Sequence, residues 1–180
     1  EKKGEVGMMS FPVWYVALEA PNYPKAAFPE GIPVWFHVDG FSGDIHEMNT
    51  INHYVGMYPL EDGAKIERAL GPFLMLGISL LMILFFCIRK KWSWIFMLPS
   101  ALFPLGFFAF YSGWMYWFGH NMQEWGAFKI KAFMPTALGV GHVAHFTTKS
   151  FPSIGFWVLV IIAVLSVLAL LARRNELKKQ

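Results

Sequence analysis

The stretch LGPFLMLGISLLMILFFCIRKK, residues 70 to 91, decides how the rest of the chain is read. No charged side chain interrupts it from Leu70 to Ile88, and three cations, Arg89, Lys90 and Lys91, follow at once. Crossing a hydrocarbon core of about 30 Å takes about 20 residues at a rise of about 1.5 Å each, so this run is predicted to be a transmembrane helix.

Two further runs share the property. The second begins at Trp92 and continues to about Trp114, with Pro99 and Pro104 inside it. Each proline removes a backbone donor and crowds the preceding turn, which predicts a kinked helix braced by its neighbours. The third, from Ile154 to Ala172, is almost purely aliphatic and stops at Arg173 and Arg174, with Lys178 and Lys179 beyond.

Basic residues in short flanks collect on the cytoplasmic side of a membrane. Both basic clusters are therefore expected inside, with residues 173 to 180 as a cytoplasmic tail. Residues 1 to 69 and the connection from 115 to 153 then share the outer, exoplasmic side. Seven of the fifteen basic residues fall in the two short cytoplasmic stretches, and of the twelve acids only Glu176 does. An outward N-terminal region of this kind implies export, and a signal peptide removed ahead of Glu1 is the expectation.

Composition agrees with membrane residence: 56% of the 180 residues are hydrophobic and 18% aromatic, too apolar for an ordinary soluble domain. The formal net charge is only +3 and the basic residues form no stripe interleaved with aromatics, which argues against a nucleic-acid partner. The single cysteine, Cys87, sits in an apolar run and is expected to be a small buried hydrophobe. It permits no intrachain disulfide, thiolate-rich zinc or iron–sulfur site, or covalently attached haem. Any bound metal would rely on His, Met and oxygen ligands.

The outer regions read as an irregular cap with short surface helices, giving an all-α membrane protein overall. APNYPKAAFPEGIP, residues 20 to 33, has Pro and Gly at close intervals and is predicted to be an extended loop. PVWFHV, residues 33 to 38, suits one short strand, though nothing nearby supplies its partner. Residues 8 to 18 are too short to span and are expected to pack or re-enter. LGVGHV, residues 138 to 143, reads as a turn rather than a phosphate-binding loop.

All six histidines, His37, His46, His53, His120, His142 and His145, fall on the outer side of this topology. In GDIHEMNTINHYVGM, residues 43 to 57, Asp44 followed by Glu47 three positions later resembles a helix capping box, and Gly56 suits a helix stop. On a helix starting at Ile45, the residues His46, Asn49, His53 and Met57 recur every three or four positions and share a face. Candidate metal ligands are therefore His46, His53, Met48 and Met57, with His142 and His145 from GHVAHF and His120 from GHNM. Imidazole with thioether suits copper, Cu(I) above all, whereas imidazole with carboxylate suits zinc or ferrous iron. The plain alternative is solvated surface histidines and packing methionines. Bis-histidine b-type haem is disfavoured, because only His120 lies near a span. Ser153, Thr147 and Thr148 lie near His145 in sequence, but no oriented base or oxyanion hole is visible for nucleophilic catalysis.

In DIHEMNTINHYVGMYP (44 to 59) and MPTALGVGHVAHFTTKSFPSIGFW (134 to 157), the chain resembles the small multi-span NosB-type membrane proteins encoded beside exported nitrous oxide reductases. The resemblance implies a non-enzymatic protein of the bacterial inner membrane, working with a periplasmic multicopper reductase in nitrous oxide respiration. It would support copper-site assembly there or connect the enzyme to the membrane. Two other roles stand beside it: a structural subunit docking a periplasmic redox partner or larger membrane complex, and a quinol-linked haem carrier.

Overall fold

In a computed structural model, described for residues 11–128 and 130–178, three helices are long and apolar enough to cross a membrane: Lys65–Cys87, Ser93–His120 and Ile154–Glu176. The polar regions between them do not form an all-α cap. Five strands, β1 (Trp14–Glu19), β2 (Ile32–Phe36), β3 (Phe41–Gly43), β4 (Gly139–Val143) and β5 (Phe146–Pro152), make one antiparallel sheet in the order β3-β2-β1-β5-β4. With the helices α1 (Ile45–Val55), α2 (Lys65–Cys87), α3 (Leu98–His120) and α4 (Ile154–Lys178), the protein is mixed α/β. The expectation of an all-α protein is corrected accordingly.

The correction follows from pairing across the chain. β1 is the central strand, antiparallel to β2 through Trp14↔Phe36, Val16↔Val34 and Leu18↔Ile32. On its other side it pairs with β5 through Trp14↔Pro152, Val16↔Ser150 and Leu18↔Thr148. Directly opposed residues share a face of the sheet, so Trp14, Val16 and Leu18 line up with Val34, Ile32 and Ser150 on one side. α1 closes that side, burying Ile45, Met48 and Ile51 against Leu18, Ile32 and Val34. The partner for residues 33 to 38 thus lies earlier in the chain, and GVGHV, expected as a turn, is the edge strand β4. Of the segment 8 to 18, residues 8 to 10 lie outside the described residues and most of the rest is β1.

The two polar regions therefore meet as one cap, and Trp14 and Ser150 help to fasten it to the helices. Trp14 is 1% exposed and packs among Phe107, Phe108 and Tyr111 of α3 and Phe156 of α4, with ring centroids 5.1–6.0 Å away. Its indole N–H donates to Ser150 Oγ at 2.8 Å. Ser150 in turn donates to the Ala137 carbonyl at 2.9 Å. That leaves its oxygen to accept from the buried Tyr111 hydroxyl at 3.2 Å as well. A serine hydroxyl offers one donor and two acceptor sites. All three are used, joining β1, α3, β5 and the loop before β4.

The long helices depart from the sequence reading at their ends. α2 starts at Lys65 rather than Leu70, and α3 ends at His120 rather than Trp114. Pro99 lies in the first turn of α3, where a missing N–H leaves no bond unmade, so only Pro104 is interior. α3 and α4 are joined by Ser100 donating to Ser166 Oγ at 2.8 Å, while Ser166 donates to the Ile162 carbonyl. α2 stands off from α3 across a mostly apolar groove of about 1000 Å³. Cys87, expected to be buried, is exposed on the outside of α2.

Far from the sheet, Arg173 of α4 donates to the carbonyls of Phe85 and Ile88 at 3.1 and 3.2 Å. Its guanidinium also lies 4.6 Å from the Phe85 ring centroid. The last carbonyls of a helix have no partner within it, and a cation there satisfies them. Replacing Arg173 with Ala is expected to cost about 1–2 kcal/mol. Thermal unfolding in mild detergent checks this, and Arg173→Lys should recover only part, since an ammonium cannot reproduce the fork.

Candidate functional site

α1 runs from Ile45 to Val55 and is capped by Gly56, whose φ of 82° is the left-handed conformation that glycine favours. The capping box does not form: Asp44 makes no side-chain cap bond, and Glu47 instead accepts from the Tyr23 hydroxyl at 2.6 Å. Burial and then this carboxylate push the Tyr23 phenol up to about 12.

The helical period splits the imidazoles from the thioethers. Ile45, Met48, Ile51, Asn52 and Val55 form the buried face, while His46 and His53 are exposed on the other. Met57, just beyond the helix, is buried with Val55 and α3 residues Tyr111, Met115 and Phe118. The sequence reading placed Met57 on the histidine face; the structure turns it inward.

Three of the candidate histidines have a local partner. His53 stacks on Trp125 with ring centroids 4.5 Å apart and planes inclined by 22°. His120 stacks on Tyr116 at 3.8 Å, and its Nδ1 lies 2.9 Å from the Tyr116 carbonyl, one turn earlier in α3. His142, exposed on β4, has Nδ1 3.0 Å from Thr147 Oγ1 across the β4–β5 pair. His145, exposed in the β4–β5 turn, borders a cleft of about 190 Å³ that Glu19, Tyr23 and Lys25 also line. Among the described residues, no three His, Cys, Asp or Glu side chains gather where they could hold a metal ion. The four-histidine set His46, His53, His142 and His145 is therefore not assembled as a coordination shell.

Three methionines border one apolar cavity. Met48 of α1, Met57 and Met115 of α3 line one cavity of about 100 Å³ between the sheet and α3. Sequence reasoning singled out the first two but missed Met115, which lay inside an apolar stretch with nothing to distinguish it.

Next to the cleft, Lys149 of β5 pairs with Glu19 of β1 at 2.7 Å on the outer sheet face, both side chains about a third exposed. The hydrogen bond from Lys149 holds the Glu19 carboxyl below its ordinary range, and the same bond raises the Lys149 ammonium. A depressed carboxylate stabilises above its unfolded pKa and loses that contribution as pH falls through the folded value. The difference in unfolding midpoint between wild type and Glu19→Gln is expected to be small at pH 7, where solvent screens the pair, and to shrink as the pH falls below the ordinary carboxylate range. Paired thermal melts across that range check it.

The fold and its surfaces define a class: a protein with three candidate membrane-spanning helices carrying a mixed α/β cap, whose candidate ligands divide into exposed imidazoles and buried thioethers. No protein-family model, curated protein or solved structure matches the chain.

Proposed function

We propose that this protein is a membrane-anchored, non-enzymatic accessory subunit whose exoplasmic cap holds an exported multicopper reductase at the bacterial inner membrane. The observation that carries the reading is the fastening of the cap through Trp14, Ser150 and Tyr111, which makes it a rigid platform rather than a tethered loop. The NosB-type resemblance supplies the kind of partner. The exoplasmic assignment is supported by the basic residues that follow α2 and those that end α4, which lie at one end of the molecule where Arg173 meets Phe85 and Ile88.

The contact surface in this reading is aromatic. Tyr54, Trp125 and Phe128 are 52%, 48% and 56% exposed beside the end of α1, where the Phe128 amide donates to the Tyr54 carbonyl. Rings of this kind dominate protein contacts because they cover much area at small entropic cost. In the sheet, β4 is an edge strand with one side unpaired.

The test is co-migration of the purified full chain with an exported nitrous oxide reductase in mild detergent. Wild type is expected to form a complex, and Trp125→Ala with Phe128→Ala to weaken it at least about tenfold. A reductase that never co-migrates with the wild type defeats the proposal.

A further inference from the structure

The groove of about 1000 Å³ between α2 and α3 stays open because α2 is fastened near its two ends. Near the cap, a methyl group on Gly71 would stand 2.6 Å from the Val38 carbonyl oxygen, and the Arg68 guanidinium lies 4.6 Å from the Phe41 ring centroid. At the other end Arg173 holds the carbonyls of Phe85 and Ile88. Between these fastenings, Gly77 of α2 and Gly106 of α3 line the groove, and nothing lies within 4 Å of a carbon added at either. From Arg68 to Leu81 the slot follows α2 for about 20 Å, at a rise of about 1.5 Å per residue. One leaflet is about half of a hydrocarbon core of about 30 Å, so the slot is long enough for an acyl chain. Its polarity is one-sided. Of the described residues that line it, only Glu67 and Arg68 carry a full charge, and both lie at the start of α2, beside the cap.

We infer that this groove binds one phospholipid whose head carries both a phosphate and a primary ammonium group, a phosphatidylethanolamine, with a tail in the slot and the head on Glu67 and Arg68. An unfilled apolar slot forfeits dispersion contacts along both walls, and a hydrocarbon tail restores them. The head is selected by charge. Arg68 gives two of its five N–H groups to the carbonyls of Gly63 and Glu61, at 3.2 and 2.6 Å, which leaves the others for phosphate oxygens. The neighbouring Glu67 carboxylate accepts from the ammonium. An anionic head would set a second negative charge beside Glu67 with nothing to offset it. A quaternary ammonium has no N–H to donate, and a quinone offers the carboxylate no donor at all. A partner's transmembrane helix would have to continue past Val13, Phe36 and Val38 of the cap, which line the same end, whereas a lipid stops at its head. The inference rests on the membrane-anchored part of the reading above, and not on the reductase as partner.

The full chain, purified in mild detergent and washed free of native lipid, is mixed with detergent micelles carrying phosphatidylethanolamine, phosphatidylcholine or phosphatidylglycerol of matched chains, and native mass spectrometry counts the lipids kept. Wild type is expected to keep one phosphatidylethanolamine per chain and to prefer it about tenfold over the other two. Gly77→Leu with Gly106→Leu places side chains in the open slot and should lower retention at least about tenfold, while Gly113→Leu, on α3 outside the groove, should leave it unchanged. Glu67→Lys, at an exposed position, should turn the preference towards the anionic glycerol head. No lipid kept by wild type, equal retention by a double-leucine variant that melts like wild type, a second polypeptide in place of lipid, or a preference that Glu67→Lys does not move overturns the site. The Glu67→Lys result decides even if the double-leucine variant fails to fold. Release of the chain from membranes by alkaline washing without detergent would defeat the membrane-anchored reading itself, whereas a chain that stays in the membrane and keeps no lipid would lose only this site.

Discussion

Replacing Trp14 with Ala is expected to separate the cap from the helices, at a cost of about 3–5 kcal/mol, a large share of a typical folding free energy. The indole is 1% exposed and touches rings from two long helices, so its removal opens a cavity at the joint between the cap and those helices. Ser150 also loses one of its two hydrogen-bond donors. Trp14→Phe should recover most of the packing but not the bond, leaving a deficit of about 1 kcal/mol plus a smaller cavity term. Thermal unfolding in detergent, with limited proteolysis at neutral pH, gives both numbers. Should the Ala variant melt like wild type and resist protease equally, the cap is not held through this residue.

Gly119→Ala is expected to be nearly as damaging. A methyl group there would stand 1.7 Å from the Phe133 carbonyl oxygen and 2.9 Å from Pro135 Cδ. The backbones touch at this point, and the Phe133 amide donates to the Gly119 carbonyl at 3.1 Å. Relieving the clash means parting α3 from the segment at Phe133 and Pro135, with a loss of about 2–4 kcal/mol through overpacking and the broken bond. Gly113→Ala is the control on the same helix. Nothing lies within 4 Å of the added carbon, so the change should stay within about 1 kcal/mol and lean towards stability. Equal melting shifts for the two would mean that Phe133 and Pro135 do not seat on Gly119.

What the sequence makes plain is whatever depends on neighbours in the chain. The three apolar runs are visible because length and composition alone identify them, and the end of α1 is visible because Gly56 follows a local rule; its start fell at Ile45 as expected, but without the capping box that suggested it. The sheet is hidden because its decisive pairing joins Trp14 to Pro152 and Glu19 to Thr147, and no local pattern announces so distant a partner. β4 looked like a turn because of its glycines. Gly141 serves closeness rather than turning: a side chain there would collide with Thr136 Oγ1. For the candidate ligands the period of α1 was legible, but which face would meet the sheet was not. His46 and His53 therefore look like partners of Met57 in the sequence and lie on the opposite side from Met48 in space. Met115 needed the tertiary fold before it could be noticed.

The β1–β5 pairing also sets an order of events during synthesis. Glu19 leaves the ribosome 128 residues before Thr147, since 147 − 19 = 128, and both α2 and α3 lie between them. At about 5–20 residues per second, the central strand waits roughly 6 to 26 s with its future β5 side open. Until then the cap has at most a three-stranded half, β3-β2-β1, ending in an uncovered row of amides and carbonyls. A nascent chain stalled before residue 146 would thus be a target for chaperones and proteases, and completion of the sheet would certify that both intervening helices had been threaded.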